Sequence, residues 1–222
     1  MKTQLLNTLV EKGLYKCSNY TLNETILKCK CYSDSIYLIK EGIVKILQIT
    51  DEGEEIVPVL LTKGQVFGND AIYGEFYTTY ESESVHQNTI IYEFSITDIR
   101  AIVKNNMTLH KDLLLLLKEE HHQAERRIQN LRTRSAEDRL ILTFIEFFNK
   151  FKDPSSTEDE VYIKSPLTQN ELAGYIRTSR VTTNQILNIL KSKSLIEYSN
   201  KDIVLKKGFF TYYKETSSRY MV

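Results

Sequence analysis

The stretch Thr178-Ser179-Arg180-Val181-Thr182-Thr183-Asn184-Gln185 gathers a guanidinium, two carboxamides and several hydroxyls within about two helical turns. An arginine can bond a guanine edge bidentately, and asparagine or glutamine can do the same with adenine. Arg180, Thr183, Asn184 and Gln185 are therefore candidate base readers. Thr168, Gln169, Thr178 and Ser179 fall at expected helix starts, where hydroxyls and backbone N–H groups hold phosphates. Lys201 adds a cation to that backbone-positioning set.

Such residues read a duplex only if a scaffold presents them together. Thr168 followed by Glu171 forms a capping box, predicting a helix from Thr168 to Ile176 with Leu172 and Ile176 inward. Arg177-Thr178-Ser179 interrupts it, and a second helix is expected over about 179–191 with Val181, Ile186, Leu187 and Leu190 inward. Two short helices joined by a tight turn make a helix-turn-helix, whose second helix enters the major groove. Leu195–Tyr198 and Ile203–Lys206, around Ser199–Asp202, read as a winged hairpin.

Charge agrees. The chain holds 29 basic and 29 acidic residues, yet Lys164–Val222 carries ten bases and four acids, a net +6. Met1–Ile163 is therefore −6, and the basic end coincides with the helix-turn-helix.

Upstream, from about Leu22 to Phe94, short alternating runs predict strands at Ser35–Ile39, Gly42–Thr50, Glu55–Leu61, Gln65–Phe67 and Thr89–Phe94. Gly42, Gly53 and Gly64 mark turns, and Asp51-Glu52-Gly53-Glu54 reads as a hairpin connection. An antiparallel sandwich or barrel follows. Ser95–Val103 is expected as a short helix capped by Ser95 or Thr97. A long helix is expected from Thr108 to Ser135. Its seam of Leu114, Leu117, His121, Ala124, Ile128, Leu131 and Ser135 alternates spacings of three and four. That heptad pattern predicts pairing with a second copy. Two His121 side chains would then meet at the axis and repel on protonation. Ala136–Phe151 is a further helix, ending at the loop Lys152–Ser156. The fold class is α+β. The expected division is a sensory β-roll over 1–107, a dimerisation helix over 108–135 and a winged helix-turn-helix over 136–222, with a boundary near Arg134–Ala136.

Other classes recede. With 41% hydrophobic and 26% charged residues the composition is that of a folded globular chain. No apolar run reaches the ~18 residues of a membrane span, and Met1–Lys12 lacks the apolar core of a secretory signal. Three scattered cysteines are no disulfide framework, so a cytoplasmic location is expected. Cys17, Cys29 and Cys31 are expected as buried thiols, with Cys29 and Cys31 on one strand face if they form a redox pair. His86, His110, His121 and His122 lack metal-ligand spacing, so neither a metal nor a cofactor nor an enzyme is expected.

The order of parts resembles the CRP/FNR family of bacterial transcription regulators. The resemblance runs from about Leu22 to Lys207 and is carried by Ile36–Gly42 with Val44-Lys45, by Gly64-Gln65-Val66-Phe67-Gly68, and by Leu167–Leu195. The Ser179-Arg180-Val181-Thr182 form is similar to the nitrogen-control branch. The resemblance implies a homodimer on a palindromic operator, double-stranded DNA and RNA polymerase as partners, and Arg180 on a guanine in each half-site. It places an effector pocket at Phe67, Gly68, Asn69 and Tyr80, with Arg126 and Arg127 on the long helix as possible anion contacts. Members that bind cyclic AMP carry an acid where Asn69 stands and an arginine about ten residues on. Here Gly68–Ser84 contains no Arg or Lys, while Asp70, Glu75, Glu81 and Glu83 would repel a phosphate. Control by cyclic AMP is therefore not expected. A ligand-sensing or protein-interaction module whose winged helix does not read DNA is the alternative.

Overall fold

The computed structural model describes residues 3–51, 53, 55–74, 77–104, 106–132 and 135–218. In chain order its elements are α1 (Gln4–Glu11), β1 (Lys16–Tyr20), β2 (Thr25–Leu27), β3 (Ser35–Glu41), β4 (Ile43–Ile49), β5 (Glu55–Thr62), β6 (Val66–Phe67), α2 (Asp70–Tyr73), β7 (Glu81–Ser84) and β8 (Thr89–Ser95). Then come α3 (Ile96–Val103), α4 (Met107–Arg132), α5 (Ala136–Phe151), β9 (Glu160–Lys164), α6 (Gln169–Tyr175), α7 (Arg180–Ser192), β10 (Ile196–Ser199), β11 (Asp202–Lys206) and α8 (Lys207–Ser218). They form two compact units, Met1–Glu125 and Arg126–Val222.

The first unit is built on two four-stranded antiparallel sheets, in the orders β1-β8-β3-β6 and β2-β7-β4-β5. Strand β3 explains how both faces of one sheet are used. Its side chains alternate, so Ile36 and Leu38 enter one core with α1, α3 and the start of α4, while Tyr37 and Ile39 enter another with β4, β5 and β8. Gly68 follows β6 at φ +84°, and a Cβ there would lie 2.8 Å from both the Ser35 carbonyl and the Tyr37 ring. Helix α1 closes the first core with Leu5, Leu6 and Leu9, and its Leu5 N–H donates to Asp112 of α4 at 3.0 Å.

The second unit packs α5 against α7 and β9. Leu140, Ile141, Phe144 and Phe147 of α5 are buried, as are Leu172 and Tyr175 of α6, Ile186, Leu187 and Leu190 of α7, and Phe209 of α8. A three-stranded sheet, β10-β11-β9, lies beside them.

Several expectations change. The long helix stops at Arg132, and Ser135 caps the next helix instead of closing the seam. The Ser135 hydroxyl accepts from the Asp138 N–H, the Asp138 carboxylate accepts from the Ser135 N–H, and this capping box starts α5 afresh. Arg134, at the expected domain boundary, lies outside the described residues, as do Glu52, Glu54 and Glu75. Cys29 and Cys31 do not share a strand face: they flank Lys30, which sits in a turn at φ +56°. Nor are they buried thiols, for Cys17 and Cys31 are exposed and Cys29 is half-buried. Helices α1, α2 and α8 and strands β1, β2, β7 and β9 join the expected elements. Among the described residues no helix is long and apolar enough to cross a membrane.

Candidate nucleic-acid interface

Helix α6 begins as its residue types dictate. The Thr168 N–H donates to the Glu171 carboxylate at 2.7 Å, and the Glu171 N–H donates to the Thr168 hydroxyl at 3.3 Å. It ends in a Schellman turn, with the Thr178 N–H on the Ala173 carbonyl and the Arg177 N–H on the Gly174 carbonyl, both at 3.0 Å. Arg177 takes the left-handed position at φ +50°, where glycine is the common choice. Ser179 then caps α7, its hydroxyl accepting from the Thr182 N–H at 3.0 Å.

The register of α7 decides which side chains can reach a duplex. Thr183, Ile186, Leu187 and Leu190 are buried, a spacing of three, one and three that marks one helical face. Thr183 is fully buried, and its hydroxyl donates to the Ser179 carbonyl at 3.0 Å. It is thereby removed from the base-reading set. Val181, expected inward, is instead 68% exposed. It lies two residues before Thr183, about 200° around the helix axis, so the two exchange roles. Arg180, Gln185 and Asn188 share the exposed side, with Asn184 half-buried beside them. None of these four has a hydrogen-bond or ion-pair partner among the described residues. Asn188 is a residue that sequence reasoning missed, although the spacing of 181, 184, 185 and 188 was the available signal.

Around this helix, Thr168 and Ser179 are exposed, and Gln169, Thr178 and Lys201 are half-buried. Lys201 sits in a two-residue hairpin between β10 and β11, with Asn200 at φ +57° and Ser199 paired to Asp202. The missed strand β9 pairs with β11, so the wing is a three-stranded sheet. At the end of its central strand Lys206 bridges Glu160 of β9 and Glu197 of β10, the latter at 2.7 Å. Hydrogen bonding from Lys206, then from Tyr162, holds the Glu160 carboxyl below its ordinary pKa.

The β-roll residues assigned to an effector pocket do come together, but they bond to the protein itself. The Gly68 N–H donates to the Tyr80 hydroxyl at 2.8 Å, and the Asn69 amide donates to the Glu120 carboxylate of α4. Beside them the Gln65 amide donates to Gln123 at 2.6 Å. Phe67 is buried and stacks on Tyr37, with ring centroids 5.1 Å apart. Loss of water pushes the Glu120 carboxyl up from the ordinary carboxylate range, against the opposing effect of the Asn69 bond. Burial likewise raises the Tyr80 phenol. Of the acids expected to repel a phosphate, Glu83 pairs with Lys45 at 2.7 Å and Glu81 accepts from Thr25 at 3.1 Å. The Arg127 guanidinium lies over the Tyr175 ring. Arg126 is exposed.

Along α4 the seam is open in the single chain. Leu114 and Ile128 are 57% and 54% exposed, His121 and Ala124 are exposed, and Leu117 and Leu131 are half-buried. Glu125 lies 3.3 Å from His121 and 3.0 Å from His122. Among the described residues no group of three or more His, Cys, Asp or Glu could hold a metal ion.

A β-roll, a long helix and a winged helix-turn-helix define a class of DNA-binding transcription regulators. Residues 18–106 match the cyclic nucleotide-binding domain family, and residues 138–207 match the Crp-like helix-turn-helix domain family. A global nitrogen regulator from Nostoc sp. is 25% identical over 186 residues, covering 83% of this chain and 82% of its own. A cAMP-activated global transcriptional regulator from Haemophilus influenzae is 23% identical, covering 84% and 82%. The solved structure of a CRP/FNR-family transcriptional regulator from Thermus thermophilus superposes with a TM-score of 0.73 at 22% identity, covering 90% of this chain and 98% of that one. The c-di-GMP-responsive global regulator of Xanthomonas campestris gives 0.73 at 15% identity, covering 90% and 99%. The chain belongs to the CRP/FNR family and is a transcription regulator of that type, not an enzyme.

Proposed function

We propose that this regulator acts as a homodimer that reads a near-palindromic operator and is not controlled by cyclic AMP. The observation that carries the reading is the outward face of α7, where Arg180, Val181, Gln185 and Asn188 stand exposed at the basic end of the chain. Arg180, Asn184, Gln185 and Asn188 supply hydrogen bonds to base edges, and the Val181 methyls suit the thymine methyl group. Thr168, Gln169, Thr178, Ser179 and Lys201 set the position on the backbone.

Dimerisation along Leu114, Leu117, His121, Ala124, Ile128 and Leu131 covers an apolar stripe otherwise left in water. It offers two copies of α7 to successive major grooves about 34 Å apart. The working division is a β-roll over 1–107, a dimer helix over 108–135 and a DNA-reading domain over 136–222. The protein works in the cytoplasm and engages RNA polymerase from its operator.

Cyclic AMP is disfavoured by charge. Its phosphate would meet no Lys or Arg between Gly68 and Ser84, and the Asn69 amide is committed to Glu120. Selection of duplexes from a random pool by the purified protein, followed by a salt series on the winner, tests the reading. A palindromic consensus with a steep salt slope is expected. Equal binding of all sequences would contradict it and favour the protein-interaction module.

A further inference from the structure

The Schellman turn satisfies the Ala173 and Gly174 carbonyls, but a helix end leaves more than two acceptors open. The next three carbonyls of the chain, those of Tyr175, Ile176 and Arg177, are each held by an arginine from another helix. Arg127, in the last turns of α4, donates to the Tyr175 carbonyl. Arg139, in the first turn of α5, donates through Nε to Ile176 at 2.6 Å and through Nη2 to Arg177 at 3.2 Å.

Arg127 also lies over the ring of the residue it bonds. Its guanidinium carbon is 3.6 Å from the centroid of the Tyr175 ring, a cation–π distance. Tyr175 is 1% exposed, and its hydroxyl donates to both oxygens of Glu146, at 3.0 and 3.1 Å. Lys150 steadies that carboxylate at 2.8 Å. Ring, carbonyl and hydroxyl of one buried tyrosine are thus tied to two different helices, and Ser179, the cap of α7, follows four residues later.

We infer that Arg127 is a positioning residue for DNA reading: it seats the turn between α6 and α7 against the last turns of α4 and so sets the angle at which α7 is presented. This rests on the DNA-reading function proposed above. With its guanidinium engaged on Tyr175, Arg127 contributes by aiming α7. Only arginine supplies both the planar stack and a donor on the carbonyl; lysine retains charge and a donor without the plane.

The test uses the full-length protein and three duplexes whose half-sites are separated by the selected spacing, one base pair less and one base pair more. The wild type should prefer the selected spacing by about tenfold or more, since a misplaced half-site costs contacts as a mismatch does. Arg127→Ala should flatten that preference to about threefold or less while leaving the salt slope on random DNA unchanged. Arg127→Lys should restore part of it. Tyr175→Phe, which keeps ring and carbonyl, should retain it. An equal fall of Arg127→Ala on all three duplexes would overturn the inference, because lost folded protein scales every affinity alike. Equal flattening by Tyr175→Phe would overturn it too, by shifting the role to the Glu146 bond. A wild type that binds operator and random DNA alike would instead refute the DNA-reading function itself.

Discussion

The polar residues of the β-roll cluster and those of the α7 face have similar chemistry and opposite situations. In the first, Asn69, Gln65 and Tyr80 already hold partners within the protein. In the second, Arg180, Gln185 and Asn188 face solvent without partners among the described residues. Exposed donors and acceptors exchange water for a ligand, whereas groups already bonded within the protein must also give up those partners. The contrast separates a polar cluster closed on the protein itself from a polar face open to a partner.

The largest effect should come from the open face. Arg180→Ala removes a bidentate contact worth about 1–3 kcal/mol in each half-site. Operator affinity should collapse, while binding to random DNA and thermal stability stay nearly constant. Equal losses on operator and random duplexes, read by fluorescence anisotropy, would break the comparison.

Next comes the closed cluster, where the opposite pattern is expected. Asn69→Ala strips a donor from the Glu120 carboxylate and should destabilise the protein by about 1.5–3 kcal/mol, the range for hydrogen bonds to charged groups. Urea denaturation measures it, and the operator-to-random ratio should not change.

A smaller effect sharpens the reading of Val181. Replacing operator thymines by uracil, one at a time, should cost the wild type about 0.8 kcal/mol at the methyl that Val181 covers. Val181→Ala should lose most of that sensitivity. If no thymine position distinguishes the two proteins, Val181 is not at a base edge.

The smallest effect separates the two regions by pH. Glu120 has a raised native pKa, so its region binds protons more tightly when folded; its stability contribution is present at low pH and lost as pH rises through that native value. Glu160 has a lowered native pKa; its contribution is present above the ordinary carboxylate range and lost as pH falls through the depressed value. Hydrogen exchange, corrected for intrinsic rates, should therefore show β9 and β11 opening on acidification while the Asn69 region tightens. Parallel responses would show that these two carboxyls do not govern their surroundings.

Much of this was legible in sequence because periodicity reports burial. The α6–turn–α7 pattern and the Thr168 capping box rest on spacings that folding preserves. Thr183 and Val181 were misplaced because both are β-branched and either fits an inward position; only the full set of buried residues on α7 fixes the phase. Strand β7 was illegible for another reason. Its inward residues, Ser82 and Ser84, are fully buried hydroxyls, with Ser84 bonded to Thr89 at 2.6 Å, and an apolar pattern cannot reveal a polar interior. Strand β9 does alternate, with Val161 and Ile163 inward, but it is only five residues long and follows a polar loop. The self-bonding of the β-roll cluster depends on side chains 51 and 58 residues apart, which no local pattern relates.

Helix α1 has a consequence for how the chain is made. Its Leu5 N–H bonds to Asp112, 107 residues later, and Leu5, Leu6 and Leu9 share a core with Leu109 and Leu113. At about 5–20 residues per second on a ribosome, roughly 5–20 s pass between synthesis of the first helix and arrival of its partner. Until then Leu5, Leu6 and Leu9 can pack only on earlier partners such as Ile36 and Leu38, and the contacts that close this core are the last to be made.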